Sequence, residues 1–479
     1  MILQSVQEMR LGFFNRPIVV EGSNAPLSSD AGLLLFRQFD ERIGLTQQFA
    51  SALNDPRHPD LIDHSFRDMT RMRIYGILAG YEDQNDHDTL RSDPVFKLVA
   101  DRSPDGADLA SQPTLSRFEN LIDIPSLKRL RDVFIDQFIA SFPHPPRRLV
   151  FDIDGVDDPA HGAQQLALFH GYFEQYQYFP LVTTSADNDL VVMLSLRHGT
   201  AHAALGADDD IQYLVRRLRA VWPDVVIYVR GDAGFGMPWM YDACEDLRIF
   251  YTFGIAANTV LHGETEELLA EAVRRFAETG QPQRLFKGFE YQAGSWSQPR
   301  WVICKVEAHA QGTNRRYIVS NRPGARLLCG PTYDEYTERG ESENRNKEMK
   351  CALGLDRLSD HRFMANYFRL YLQGAALNLL IRLRWEIADP PPLEGELPLE
   401  SLPAEERRRY FNHRRQRDPL GKGQPCTWRL LLIKVAASVV VSARRVVIRL
   451  SSSWPNISFF RRVTAHVMRR PAVAHHWTC

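Results

Sequence analysis

Asp152 and Asp154 close the apolar run Leu149–Asp154, Asp232 follows the run Val225–Gly231, and Glu343 lies within the polar stretch Tyr336–Lys350. In a strand, alternate side chains share a face, so Asp152 and Asp154 point one way while Phe151 and Ile153 point the other. Two carboxylates on one face of an apolar strand are costly unless they are solvated or bind a cation. A turn through Gly155 and Asp157-Asp158-Pro159 would solvate Asp154 with no ligand at all. The second run ends Arg230-Gly231-Asp232-Ala233-Gly234-Phe235, the form of a buried strand delivering a carboxylate at its C-terminal end. Ligand groups of α/β sheets gather there, although an Asp capping the next helix looks the same. Tyr336, Arg339, Glu343 and Lys350 recur at offsets 0, 3, 7 and 14. At about 100° per helical residue they share one stripe roughly 60° wide. A solvated charged face is the plain reading of that stripe. A metal beside a phosphate backbone is the chemical one. Taken in chain order, two strand-end acids and one helix acid suit a pair of hard divalent cations, Mg²⁺ with Mn²⁺ as an alternative. Two such ions activate a water or a 3′-hydroxyl and stabilise the leaving oxygen of a phosphodiester, with no protein nucleophile.

The elements that must position these groups are legible in the hydrophobic pattern. Residues 1–145 read as a helical N-terminal domain, a candidate for DNA end binding, with helical periodicity in Leu33–Phe36, Met72–Leu78 and Leu127–Phe138. Residues 146–257 read as a strand at Arg148–Asp154, a hairpin at Tyr178–Ser185 and Leu190–Leu196, and a helix at Asp208–Val221. A strand at Val225–Val229, a helix at Pro238–Leu247 and a strand at Ile249–Phe253 come next. That order is the skeleton of a ribonuclease H-like α/β core. Residues 258–326 break the alternation with a helix at Thr265–Ala277, capped by Thr265, and strands at Arg284–Tyr291, Arg300–Val306 and Arg316–Val319. They are expected to form a β-rich insertion. Residues 327–388 return to the core with the Glu343 helix and an apolar helix over Phe363–Leu383. Residues 389–479 are expected to be a proline-rich linker and a basic, helical C-terminal region, with Trp428–Leu450 as an amphipathic helix pair or buried core.

The formal net charge of −1 over 479 residues hides an asymmetry. Ser401–Cys479 carries 16 Lys and Arg against 3 Asp and Glu, so the preceding chain is correspondingly acidic. Such a tail points to a polyanion, and Arg407–Arg409 with Arg414, Arg415 and Arg417 around Tyr410 and Phe411 are its densest phosphate-contact candidates. The 6 cysteines contain no Cys-x2-Cys pair, which argues against a structural zinc site and a disulfide framework. Glu8 and Arg10 make a poor secretory leader, and charges interrupt the most apolar run. A cytoplasmic location without a membrane partner is expected.

The three acid-bearing blocks resemble bacterial insertion-sequence DDE transposases with the Tyr-Arg-Glu-Lys signature. They are most similar to the branch whose first acid lies in Leu-Asp-x-Asp-x-Thr-Asp-Asp-Pro-x-His-Gly. Here that block runs Phe151-Asp152-Ile153-Asp154-Gly155-Val156-Asp157-Asp158-Pro159-Ala160-His161-Gly162, with Val156 where the family usually has Thr. The similarity spans about Pro17 to Leu383. It implies that Asp154, Asp232 and Glu343 are the catalytic metal ligands, with Asp152 a rival for the first place. It implies that Tyr336, Arg339 and Lys350 position DNA, Arg339 by a bidentate phosphate grip. An insertion-domain tryptophan, Trp296 or Trp301, would hold a flipped base or else pack in the core, and His161 is a metal neighbour or else a turn histidine satisfied by hydrogen bonding. The implied partners are terminal inverted repeats and target DNA, bound by a homodimer at the bacterial nucleoid. A nuclease without strand transfer and an inactive DNA-binding descendant share the same sequence features.

Overall fold

The computed structural model describes residues 9–11, 13, 15–16, 18–20, 23–388 and 424–469. The linker expected after Asp389 and the basic run 407–417 lie outside them. The N-terminal part is helical: α1 (Leu33–Ile43), α2 (Leu45–Ser51), α3 (Phe66–Ala79), α4 (Gln112–Asn120) and α5 (Ile124–Ile139). Ser65 and Asp68 form a reciprocal capping box that starts α3, and Gly80 ends it with φ 94°, a left-handed conformation that glycine adopts without strain.

The central sheet has eight strands. They are β1 (Arg148–Gly155), β2 (Leu181–Ser185), β3 (Val191–Ser195), β4 (Val226–Gly231), β5 (Phe250–Ile255), β6 (Gln283–Tyr291), β7 (Arg300–His309) and β8 (Gly312–Ser320). Their spatial order is β6-β7-β8-β5-β4-β1-β2-β3. Only β1, β4 and β5 run parallel to one another, and every other neighbour is antiparallel. The helices α6 (Ala207–Val221) and α7 (Pro238–Asp246) connect β3 to β4 and β4 to β5.

The segment expected as an insertion does not build a sheet of its own. After α8 (Glu266–Thr279), its three strands pair onto β5 through β8 and extend the central sheet at one edge. Antiparallel pairing lets short connections do this, whereas another parallel strand would need a long crossover. Thr265 precedes α8 without capping it; its hydroxyl donates to the Leu261 carbonyl at 2.8 Å instead.

Next come α9 (Cys329–Thr337), α10 (Gly340–Lys347) and the 26-residue α11 (Phe363–Ala388). The helix α11 is apolar nearly all round because it lies between two layers. On one side Phe368 meets the rings of Phe49 and Phe118. On the other, the Asn378 amide closes both backbone groups of Val191 on the edge strand β3, at 2.7 and 2.9 Å. That side-chain pairing blocks an exposed sheet edge.

The C-terminal region departs from the expected helix pair. Two short helical segments, Pro425–Trp428 and Arg429–Ile433, lead into a hairpin of β9 (Ala437–Ser442) and β10 (Arg445–Leu450). The β-branched triplets Val439–Val441 and Val446–Ile448 favour strands, and the turn at Ala443-Arg444 joins them. The strand β9 also pairs with Leu27–Ser28, so this region packs back on the N-terminal part. The helix α12 (Ile457–Arg469) comes last. Among the described residues, no helix is long and apolar enough to cross a membrane.

Candidate active site

Strands β1 and β4 lie side by side in parallel register, with Asp152 opposite Arg230. This pairing separates the two rivals for the first acid. Asp152 is 2% exposed and receives a bidentate grip from Arg230, at 2.6 Å (Nε) and 2.8 Å (Nη2). Arg230 also donates to the Glu335 carbonyl at 2.6 Å, which ties β4 to the helix that carries Tyr336. Both Asp152 oxygens are therefore engaged by the Arg230 fork.

Asp154, two residues on, is differently placed. Burial pushes its carboxyl up to about 7, opposed by Arg339 and reinforced by the charges of Asp232 and Glu343. The Asn346 amide donates to Asp154 Oδ2 at 2.9 Å, and Arg339 Nη1 stands 3.8 Å from the same oxygen. Asp232 ends β4 and caps a single 3-10 turn, accepting from Gly234 N at 2.9 Å. The capping reading and the ligand reading of Asp232 are compatible, since one carboxylate oxygen serves the turn. Glu343 extends from the first turn of α10 and accepts from Arg339 Nη2 at 3.1 Å, with its side chain 62% exposed. Burial works against the Arg339 charge, and Asp154, Tyr336, Asp232 and Glu343 outweigh it, so its pKa is raised. Asp154 and Glu343 thus flank one guanidinium, and the charge of Asp232 acts on it.

Tyr336 lies against the same group. Burial raises its phenol pKa, with Arg339 opposing and Asp232 adding. The position beneath it must be glycine. A Cβ at Gly254 on β5 would come 3.0 Å from Tyr336 Oη and 2.7 Å from Ala233 N.

Lys350 does not join the others. The stretch from Glu348 to Ala352 forms a π turn, so the expected single stripe ends at α10. An extra residue in a turn rotates the residues beyond it by about 100°, and such turns recur at functional sites. Lys350 Nζ instead meets Asp157 Oδ2 at 2.8 Å. Beside it Asp158 is fully buried, and both its oxygens lack a hydrogen-bond partner. Burial holds the Asp158 carboxyl well above the ordinary range, with Asp356 and Asp157 adding and Lys350 opposing.

Trp296, Trp301 and His161 stand in packed or hydrogen-bonded surroundings, the alternative role open to each from the sequence. Trp296 is 7% exposed, and the rings of Tyr241 and Tyr291 and the Arg300 guanidinium pack on it. Trp301 is half-buried, donates to the Ala325 carbonyl and lies under Arg326. His161 shares a 2.5 Å hydrogen bond with the Asp356 carbonyl, which spends one ring nitrogen on a loop contact. Conversely, Asn346, Arg230 and Asp157 are site residues that spacing alone missed. Asn346 had a signal: it lies three residues after Glu343, on the same helix face.

Whether these residues fit a divalent cation is a question of donors and of spacing. The donors are of the right kind: three carboxylates, with Asp154 pushed up first by burial and then by the charges of Asp232 and Glu343. The spacing is not closed, since no group of three or more His, Cys, Asp or Glu among the described residues stands ready to hold a metal ion. Arg339, 3.8 Å from Asp154 and 3.1 Å from Glu343, supplies the counter-charge between them.

A family model described as "Transposase DDE domain group 1" matches residues 12–392. No curated protein matches the chain. Among solved structures, a piggyBac transposase synaptic complex with hairpin DNA, determined by cryo-EM, is similar at 13% identity with a TM-score of 0.41. The match covers 82% of this chain and 81% of that one.

Proposed function

Because the chain belongs to the DDE transposase domain group 1 family, whose members cut DNA and transfer its strands, we propose that Asp154, Asp232 and Glu343 are its catalytic acids. Asp154 and Glu343 on either side of Arg339, with Asp232 at the end of the strand beside that of Asp154, carry the reading. The strand order β3-β2-β1-β4-β5, with β6–β8 beyond it, supports a ribonuclease H-like core extended at one edge. In this reading the core cuts at the terminal inverted repeats of a bacterial insertion sequence, and a homodimer at the nucleoid holds two ends together.

The three carboxylates would hold Mg²⁺, which when bound supplies charge to activate water and stabilise the leaving 3′-oxygen. The chain's own residues do the rest. Asn346 fixes Asp154 through one oxygen. Arg339 has a planar fork that suits a phosphate, and its contacts with Asp154 and Glu343 would have to give way for it to reach one. Tyr336, kept protonated by burial, donates a hydrogen bond to a phosphate oxygen. Lys350 is a point charge whose pairing with Asp157 a phosphate must displace. Asp152 and Arg230 hold β1 and β4 in register beneath them.

The test is direct. Purified protein is incubated with linear DNA carrying the sequences that flank its own gene, with and without Mg²⁺. Mg²⁺-dependent nicks at the repeat ends, followed by joined products, support the reading. Cleavage that never yields a joined product makes it a nuclease, and DNA binding without cleavage makes it an inactive descendant.

A further inference from the structure

The C-terminal region carries charge that the candidate active site does not use. No Asp or Glu follows Asp418, while residues 424–469 hold eight Lys and Arg. Two of the eight are consumed internally. Arg429 donates to the carbonyls of Ile77, Leu78 and Ala352 at 2.8, 2.8 and 2.5 Å. Lys434 pairs with buried Asp30 at 2.6 Å and lies over the Tyr81 ring. Arg444, Arg445, Arg449, Arg461 and Arg462 are all exposed, and none forms an ion pair among the described residues. Elsewhere, arginines such as Arg230, Arg300, Arg322 and Arg369 are bound to carboxylates. A solvent-facing cluster in a chain whose remainder is acidic is charge left for an outside anion.

The scaffold beneath the cluster is rigid. Ser442 Oγ accepts from Arg445 N and donates to Arg445 O, which pins the hairpin turn. Arg445 and Arg449 share one face of β10, four residues and so about 13 Å apart. A duplex carries one phosphate per about 1.7 Å of axis, so this reach spans several charges. A two-stranded ribbon also fits a major groove. The helix α12 is not free for a lipid surface, because Val463 and Val467 are buried and Phe459 packs on Trp428. The position fits as well: through Ala352, Arg429 ties this region to the π turn that bears Lys350.

We propose that the β9–β10 hairpin, with Arg444, Arg445 and Arg449, and the start of α12, with Arg461 and Arg462, form a duplex-DNA grip that acts through the phosphate backbone. The inference rests on the transposase reading and names the surface that holds the DNA beside the cutting site.

The experiment measures binding of a fluorescent duplex of arbitrary sequence by anisotropy, over a series of salt concentrations. It compares the full chain with R444E/R445E/R449E and with R444K/R445K/R449K. The glutamate variant should bind at least about tenfold more weakly, and its slope of log affinity against log salt should be shallower by about 2 to 3. The lysine variant should bind as the native chain does, and thermal melting should be unchanged in both. Equal affinity and slope in the glutamate variant would overturn the proposal and leave the transposase reading untouched. Phosphatidylserine vesicles that outcompete the duplex for the native chain would overturn it in favour of a lipid surface. Intact duplex binding by a chain that never cleaves DNA ends supports the grip while removing the catalytic reading.

Discussion

At the scale of residues, partners decide between side chains that the sequence leaves equal. Asp152 and Asp154 share a strand face, and the alternation that reveals them cannot rank them. The cross-strand neighbour gives a ground for the proposed choice of Asp154, because Arg230 stands opposite Asp152 and grips it. Breaking a buried pair leaves an uncompensated charge, at a cost of roughly 3–5 kcal/mol. Asp152→Asn is therefore expected to lower stability by that order in denaturant unfolding, whereas Asp154→Asn should leave the midpoint unchanged or raise it. The opposite ranking would reverse the assignment. A second prediction concerns His87, fully buried in the N-terminal helices with neither ring nitrogen hydrogen-bonded. Burial lowers its pKa from 6.5 to about 3, with Arg73 adding to the effect. Above pH 6.5 both folded and unfolded chains are neutral there and nothing is lost. As pH falls through 6.5 toward 3, only the unfolded chain takes up the proton, and stability falls by up to about 1.4 kcal/mol per pH unit. Replacing His87 by Leu should flatten the decline in stability between about pH 6.5 and 4. An unchanged decline would place the acid sensitivity elsewhere.

At the scale of elements, apolar runs and helical periodicity located β1 to β5 and α11 within a few residues, because each has a face or a length that only one structure satisfies. Two features were not legible. The π turn at Glu348–Ala352 leaves no trace in a helical pattern, so Lys350 was placed on a stripe that it leaves. The stretch Trp428–Leu450 is open in the sequence between a helix pair and buried core; its β-branched triplets settle on a hairpin, and Trp428, Leu432, Ile433 and Val439 are buried. The signature helix itself depends on the sheet below it. Gly254→Ala would drive a methyl group into Ala233 N and Tyr336 Oη. We expect a stability loss of about 1–3 kcal/mol, with a larger proportional loss of DNA cleavage because Tyr336 and the Asp232 turn both shift. Normal cleavage by this variant would mean that the site tolerates their displacement.

At the scale of the whole molecule, the net charge of −1 is the sum of an acidic body and a basic tail. The sequence showed that division. It did not show that the tail returns to pair with Leu27–Ser28 and to cap α3 through Arg429, since those contacts join residues hundreds of positions apart. Arg429→Met removes three hydrogen bonds to backbone carbonyls, and hydrogen exchange in β9 and β10 should quicken while β1, β4 and β5 stay protected. Uniform exchange would mean that the tail is held by other contacts. The central claim is that Asp154, Asp232 and Glu343 act together in cutting DNA. Excision of a marker flanked by the DNA that borders the chain's own gene tests it most directly. Asp154→Asn, Asp232→Asn and Glu343→Gln should each abolish excision in protein that melts like the native chain. Excision at the native level by any one of the three would contradict the account.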